Sequence, residues 1–163
     1  KFENVLESEI IPFISYPYEW TFDQLKKSAL HHLDFQIYLF KKGAVLRDSS
    51  AYNIQYIGGK PLFIDLLSIK PYEDGEYWNG YKQFCENFLN PLLLGSLKGI
   101  HHNHWFRGAL EGITTVELNK ILNFGDKFSY NIFTHVFLQA KLNIKSLTKP
   151  NETSAKYKNL KKL

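Results

Sequence analysis

Between Thr21 and Gly43 the chain carries start and stop signals for one long helix, and that helix constrains everything placed after it. In Thr21-Phe22-Asp23-Gln24 the Thr hydroxyl and the Gln side chain can each satisfy a free amide at a helix start. Apolar residues recur at Phe22, Leu25, Ala29, Leu33, Ile37 and Phe40, close to the 3.6-residue period, so this line is expected to face the core. Lys41 and Lys42 suit the negative end of the helix, and Gly43 supplies a left-handed stop. His31 and His32 are consecutive and cannot share a metal on one helical face, so both are expected to be packing or surface residues.

Asp48 follows Gly43 by five residues, in the run LRDSSAYNIQYIGGKPLFIDL from Leu46 to Leu66. The pattern predicts a tight polar loop carrying Asp48 and Asn53. Strands are then expected over Ile54–Ile57 and Pro61–Leu66, joined by the two-residue turn Gly58-Gly59. Asp65 ends the second strand between Ile64 and Leu66, and a carboxylate there is costly to bury unless it is paired or metal-bound.

Asp-x-x-x-x-Asn, a hairpin, then an Asp about a dozen residues on resembles the layout of a kinase active site. In such sites the first Asp orients the substrate hydroxyl and accepts its proton, while the Asn and second Asp hold Mg²⁺ on the ATP phosphates. The resemblance makes Asp48, Asn53 and Asp65 the catalytic candidates, with Asn53 and Asp65 as metal ligands and Arg47 as either a phosphate contact to the cofactor or a structural partner. Phosphoryl transfer is mostly positioning and charge neutralisation, which is why three oxygen-bearing side chains must converge on one metal–phosphate cluster. The same residues also read as a polar turn feeding a hairpin, with Asp48 and Asn53 as turn formers. Leu46 stands where the kinase pattern has His, no Gly follows Asp65, and no Gly-x-Gly-x-x-Gly occurs in the sequence.

Before the long helix, residues 1–20 are apolar and aromatic, with Pro12 and Pro17 forbidding a long helix; a short strand is expected around Ile10–Ser15. After the hairpin, residues 69–77 read as a loop of turn formers. A second helix is expected from about Trp78 to Leu94, with Trp78, Tyr81, Cys85, Phe88 and Leu92 on one face and a bend or handover at Pro91. Cys85 reads as a core thiol. The spacing of His101, His102 and His104 does not suit two ligands on one helical face, and nothing nearby completes a metal set. Further helices are expected at His104–Glu111, Val116–Asn123 and Phe128–Leu142, the middle one opened by Thr114 with Glu117. The expected class is α+β, mostly helical, with a small β-hairpin carrying the polar site.

At 163 residues there is enough chain for one domain with a real core, and aromatic side chains make up 16% of it, which suits packing rather than disorder. One cysteine excludes an internal disulfide and favours a reducing, cytoplasmic setting. No apolar run is long enough to cross a bilayer. Seven lysines against Glu152 after residue 140 concentrate the net charge of +4 in the last residues. The expected division is therefore a domain over 1–142 and a basic tail or linker over 143–163. The aromatic residues sit at core-like spacings without an RNA-binding motif, so no nucleic-acid partner is expected.

Three phrases, PFISYPYEWTFDQLKKSAL, LRDSSAYNIQYIGGKPLFIDLLSI and YWNGYKQFCENFLNPLLL, resemble in order the N-terminal half of bacterial SAM-dependent methyltransferase proteins related to nodulation protein NoeA. The resemblance covers about residues 10–125. It implies a kinase-type C-terminal lobe similar to aminoglycoside and lipopolysaccharide kinases, cut from a longer protein. Its partners would be an upstream β-rich lobe and a downstream methyltransferase domain. SAM would bind only through that domain, because no glycine-rich SAM loop follows a strand here. The expected role is substrate binding or scaffolding around a degenerate phosphotransferase site. The alternatives are an active phosphotransferase on a small molecule or glycan, using ATP and Mg²⁺, and a purely structural interaction module. Loss of a covering lobe would leave apolar surface and favour self-association.

Overall fold

Helix α1 runs from Phe22 to Lys41, and its start is the capping box read from the sequence: Thr21 Oγ1 accepts from the Gln24 N–H (3.2 Å) and Gln24 Oε1 accepts from the Thr21 N–H (2.8 Å). The computed structural model describes residues 9–142, so the basic tail expected over 143–163 lies outside the described residues. The chain is α+β and mostly helical.

The buried face of α1 differs from the expected line. Leu25, Ser28, Ala29, His32 and Leu39 are buried, whereas Phe22, Ile37 and Phe40 are exposed. Leu25 and Ala29 of the expected line reach the core and Leu33 packs against it, but the ends of that line do not. Packing against strands and a second helix selects a face on which Ser28, His32 and Gln36, four residues apart, each find a hydrogen-bond partner.

Beyond α1, strand β1 (Ala44–Leu46) leads into the Asp48 loop, and β2 (Ile54–Ile57) and β3 (Lys60–Phe63) form the expected antiparallel hairpin. Gly58 and Gly59 both take positive φ, 54° and 80°, as the mirror-image turn matching strand twist requires. The second strand stops at Phe63 rather than at Leu66: one more in-register bond, from the Ile64 N–H to the Asn53 carbonyl (2.9 Å), closes the ladder before a short 3₁₀ turn begins at Leu66. Part of the expected loop 69–77 is a strand, β4 (Ile69–Pro71), antiparallel to β1 with Leu46 opposite Ile69. A three-residue strand carries little local signal, and its ladder exists only because β1 lies beside it. The expected strand at Ile10–Ser15 is absent: there the Ser15 N–H donates to Gln55 Oε1 (2.9 Å) and Gln55 Nε2 donates to the Ser15 carbonyl (3.0 Å).

The second long helix continues from α2 (Tyr81–Phe84) through a π-helical turn (Cys85–Leu89) into α3 (Asn90–Lys98). Pro91 marks the expected handover: the π-helical turn ends at Leu89 and α3 begins at Asn90, with Pro91 in its first turn. Proline lacks the N–H that would meet the carbonyl of residue 87, and the widened turn before it, closed by the Asn90 N–H to the Cys85 carbonyl, gives the ring room. Helices α4 (His102–Gly108), α5 (Thr115–Ile121) and α6 (Tyr130–Ile132) follow. A second π-helical turn (Phe133–Leu138) continues α6, and the Thr114–Glu117 capping box opens α5 as expected.

Two cores result. One joins Trp20, Leu25, Ala29, Leu46, Ile54, Phe63, Phe84 and Phe88; the other joins Leu94, Ile113, Leu118, Leu122, Ile132 and Val136. Cys85 is the core thiol expected, and burial pushes its pKa up to about 11.

Candidate functional site

The loop after β1 and Asp65, two residues past the end of β3, meet at one side chain. Asn53 Nδ2 donates to Asp48 Oδ1 at 2.9 Å and to Asp65 Oδ2 at 3.3 Å, so a single amide bridges both carboxylates. The hairpin makes this possible: β2 starts directly after Asn53, β3 returns antiparallel, and Asp65 arrives beside the residue at which the hairpin began. All three side chains are half-buried. Asp48 is held above the ordinary carboxylate range, first by burial and then by the charge of Asp65, with the Asn53 hydrogen bond acting the other way. Arg47 is exposed, and its backbone N–H extends the β1–β4 ladder to the Ser68 carbonyl (2.8 Å).

Polar side chains from both long helices hold the loop. On α1, Gln36 Oε1 accepts from the Leu46 N–H (3.0 Å), and His32 Nε2 lies 3.0 Å from Ser49 Oγ with both residues fully buried. From the second helix, Gln83 Oε1 accepts from the Ser49 N–H (2.8 Å) and Asn87 Oδ1 from the Ala51 N–H (3.0 Å). Ser50 Oγ caps the 3₁₀ turn that carries Asn53 by accepting from the Tyr52 N–H (3.3 Å). Gly80 must be glycine for this approach, since a Cβ there would lie 2.1 Å from Ser49 Oγ and 3.1 Å from the Asp48 carbonyl carbon. Backbone donors that a tight loop would otherwise bury unpaired are thereby satisfied.

Sequence reasoning missed this supporting set, although its signal was present. Ser28-His32-Gln36 and Gln83-Asn87 are polar residues at spacing four on helices that otherwise show apolar faces. A polar line inside a buried stripe marks partners that must be met from another element. His32 is accordingly a packing residue with a polar task. Burial depresses its pKa to about 4, the neighbouring His31 adding to the effect, so the imidazole is neutral near pH 7.

The donor set of Asp48, Asn53 and Asp65 is hard oxygen, plus one amide able to present either end. Two carboxylates sharing a single neutral donor carry uncompensated negative charge, and a divalent cation such as Mg²⁺ fits that chemistry. Among the described residues no cluster of three His, Cys, Asp or Glu side chains suits a metal, which includes His101, His102 and His104. His102 is buried at the start of α4, with its pKa lowered by burial, while His101 and His104 are exposed. Among the described residues no helix is long and apolar enough to cross a membrane.

Fold and site together define a mostly helical α+β chain with an acidic site on a loop and hairpin. Over 139 residues, 85% of its length, the chain is 50% identical to nodulation protein NoeA of Rhizobium meliloti (strain 1021), and it is related to that protein. It spans 29% of NoeA's length. No protein-family model matches the chain, and no solved structure matches it.

Proposed function

We propose that the chain is a kinase-like, substrate-binding or scaffolding region of a nodulation-related protein, with a degenerate phosphotransferase site at Asp48, Asn53 and Asp65. The observation that carries this reading is the Asn53 amide donating to both carboxylates, which brings all three oxygen-bearing side chains of the kinase-type spacing to one point. Asn53 and Asp65 would hold Mg²⁺, and bound Mg²⁺ would supply charge neutralisation for a nucleotide's phosphates. Arg47, exposed and next to Asp48, is positioned in sequence to meet a phosphate. The relative's greater length leaves room for the partners of this reading, an upstream β-rich lobe gripping the nucleotide and a downstream methyltransferase domain that would bind SAM. Leu66 and the 83%-exposed Leu67, directly after Asp65, give apolar surface for such a lobe or, without one, for a second copy. The lone thiol, buried, favours a cytoplasmic setting.

One observation favours a second reading, an active phosphotransferase acting on a small molecule or glycan. Asp48 is raised toward the range of a working base by burial and by Asp65, and in that role it would orient an acceptor hydroxyl and take its proton. Leu46 and Leu67, where the kinase pattern has His and Gly, favour the degenerate site.

Calorimetric titration of Mg²⁺–ATP, with Asp65→Ala as control, tests both. Binding that is lost in the variant and unaccompanied by phosphate transfer supports the first reading, and transfer lost in Asp48→Asn supports the second. A folded chain that binds neither ion nor nucleotide overturns both and leaves an interaction module.

A further inference from the structure

The mechanism sketched above uses Asp48, Asn53 and Asp65 and leaves unused a fully buried pair of polar residues beneath them. His32, in the middle of α1, is surrounded by Phe63, Trp78, Phe84 and Phe88, with ring centroids 5.7–6.3 Å away. An imidazole in such an aromatic enclosure is expensive, because a phenylalanine of similar shape would bury more apolar surface with no polar atom to satisfy. Its one hydrogen bond goes to Ser49 Oγ, on the residue next to Asp48, while its Nδ1 has no partner. Leaving a lone pair unmet in that enclosure costs less than leaving an N–H unmet, so the proton belongs on Nε2, which donates to Ser49 Oγ. Ser49 is also gripped through its backbone by Gln83, and Gly80 admits its hydroxyl where any Cβ would collide.

We infer that His32 is a positioning residue for the acidic site: through Ser49 it ties the Asp48 loop to the middle of α1, so that Asp48 stands within reach of Asn53 and Asp65. The inference rests on the Mg²⁺-binding reading for its consequence but not for its geometry. With the tether cut, the backbone of 48–51 keeps Gln83 and Asn87 yet loses its only link to α1 at Ser49, and the loop opens more often. Asp48 then spends time away from the Asn53 bridge, and a cation held by Asn53 and Asp65 loses the fixed negative charge beside it.

The test uses His32→Phe, which fills the enclosure without a tether, and His32→Gln, which restores a side-chain N–H donor. Amide hydrogen exchange at Ser49 and Ala51 reads the loop directly and needs no ligand, while Mn²⁺ titration followed by electron paramagnetic resonance reads the site. In His32→Phe the Ser49 and Ala51 amides are expected to exchange at least 10-fold faster, with the α5 amides unchanged, and Mn²⁺ affinity to fall about 5- to 10-fold. In His32→Gln both should recover by more than half. The ¹⁵N shifts of His32 in the unaltered chain should report Nε2 as the protonated nitrogen. Unchanged exchange at Ser49 in a folded His32→Phe overturns the inference, as does an Nδ1-protonated ring. Faster exchange in a chain that shows no Mn²⁺ binding before substitution upholds the positioning and overturns the metal reading instead. If His32→Phe does not fold, Ser49→Ala cuts the same bond from the other side, and unchanged Ala51 exchange in that variant overturns the inference.

Discussion

The two cores of this molecule are built on different rules. The one around Phe88 has polar side chains threaded through it: Ser28, His32, Ser49 and Gln55 are all buried, and most of their hydrogen bonds run to loops. The one around Leu118 is closer to an ordinary apolar packing of helices, with one buried amide, Asn90 Nδ2, donating to the Ile113 carbonyl and to Thr115 Oγ1. A polar network in a low-dielectric interior specifies one arrangement, because every alternative leaves a donor or acceptor unmet, whereas apolar side chains tolerate repacking. The acidic site sits on the first kind of core. That contrast argues that the first region is built for exact placement of a loop and the second for support.

The largest effect should come from Phe88→Ala, which opens a cavity under the Asp48 loop at a cost of about 4 kcal/mol and lowers hydrogen-exchange protection at Ala51. Leu118→Ala should cost about 3 kcal/mol in chemical denaturation while leaving Ala51 protected. Equal loss of protection at Ala51 in both variants would show that the cores unfold as one unit, and the contrast would fail.

Acid should discriminate next. His32 has a folded pKa near 4 against an ordinary 6.5, so the folded state binds fewer protons than the unfolded one between those values. Its contribution is complete above pH 6.5 and is lost as pH falls through about 4. At about 1.4 kcal/mol per unit of pKa this amounts to roughly 3 kcal/mol. His102, also depressed by burial, adds in the same direction, so His32→Phe should flatten only part of the acid limb in thermal melts at stepped pH.

Gly80→Ala is a smaller perturbation aimed only at the polar core. Its Cβ would meet Ser49 Oγ and Trp78 Nε1, and a loss of about 2 kcal/mol with altered amide shifts at residues 48–51 is expected. Smallest is Asp48→Asn. An acid with a raised folded pKa contributes most below its ordinary value and loses that contribution as pH rises, so removing the charge should raise the melting temperature slightly at pH 7. The gain should vanish near pH 3, where Asp48 is already protonated. A gain of the same size at both pH values would mean that burial and Asp65 do not strain this carboxyl.

Elements whose signals are local were legible in the residues themselves. Thr21 with Gln24, Thr114 with Glu117, and Gly58-Gly59 each fix backbone groups within four residues, and α1, α5 and the hairpin appear where those signals stand. The Asp48, Asn53 and Asp65 triplet was legible for the same reason, since a hairpin of known length returns Asp65 to Asn53. Tertiary structure decided the rest: which face of α1 is buried, that 69–71 pairs with β1, that Ser15 meets Gln55 by side chain instead of forming a strand, and that His32 reaches Ser49. The Ser15–Gln55 and His32–Ser49 meetings span 40 and 17 residues of chain. No local propensity encodes such a meeting, because the free energy that selects it arises only when the elements pack and their buried polar groups must be paired.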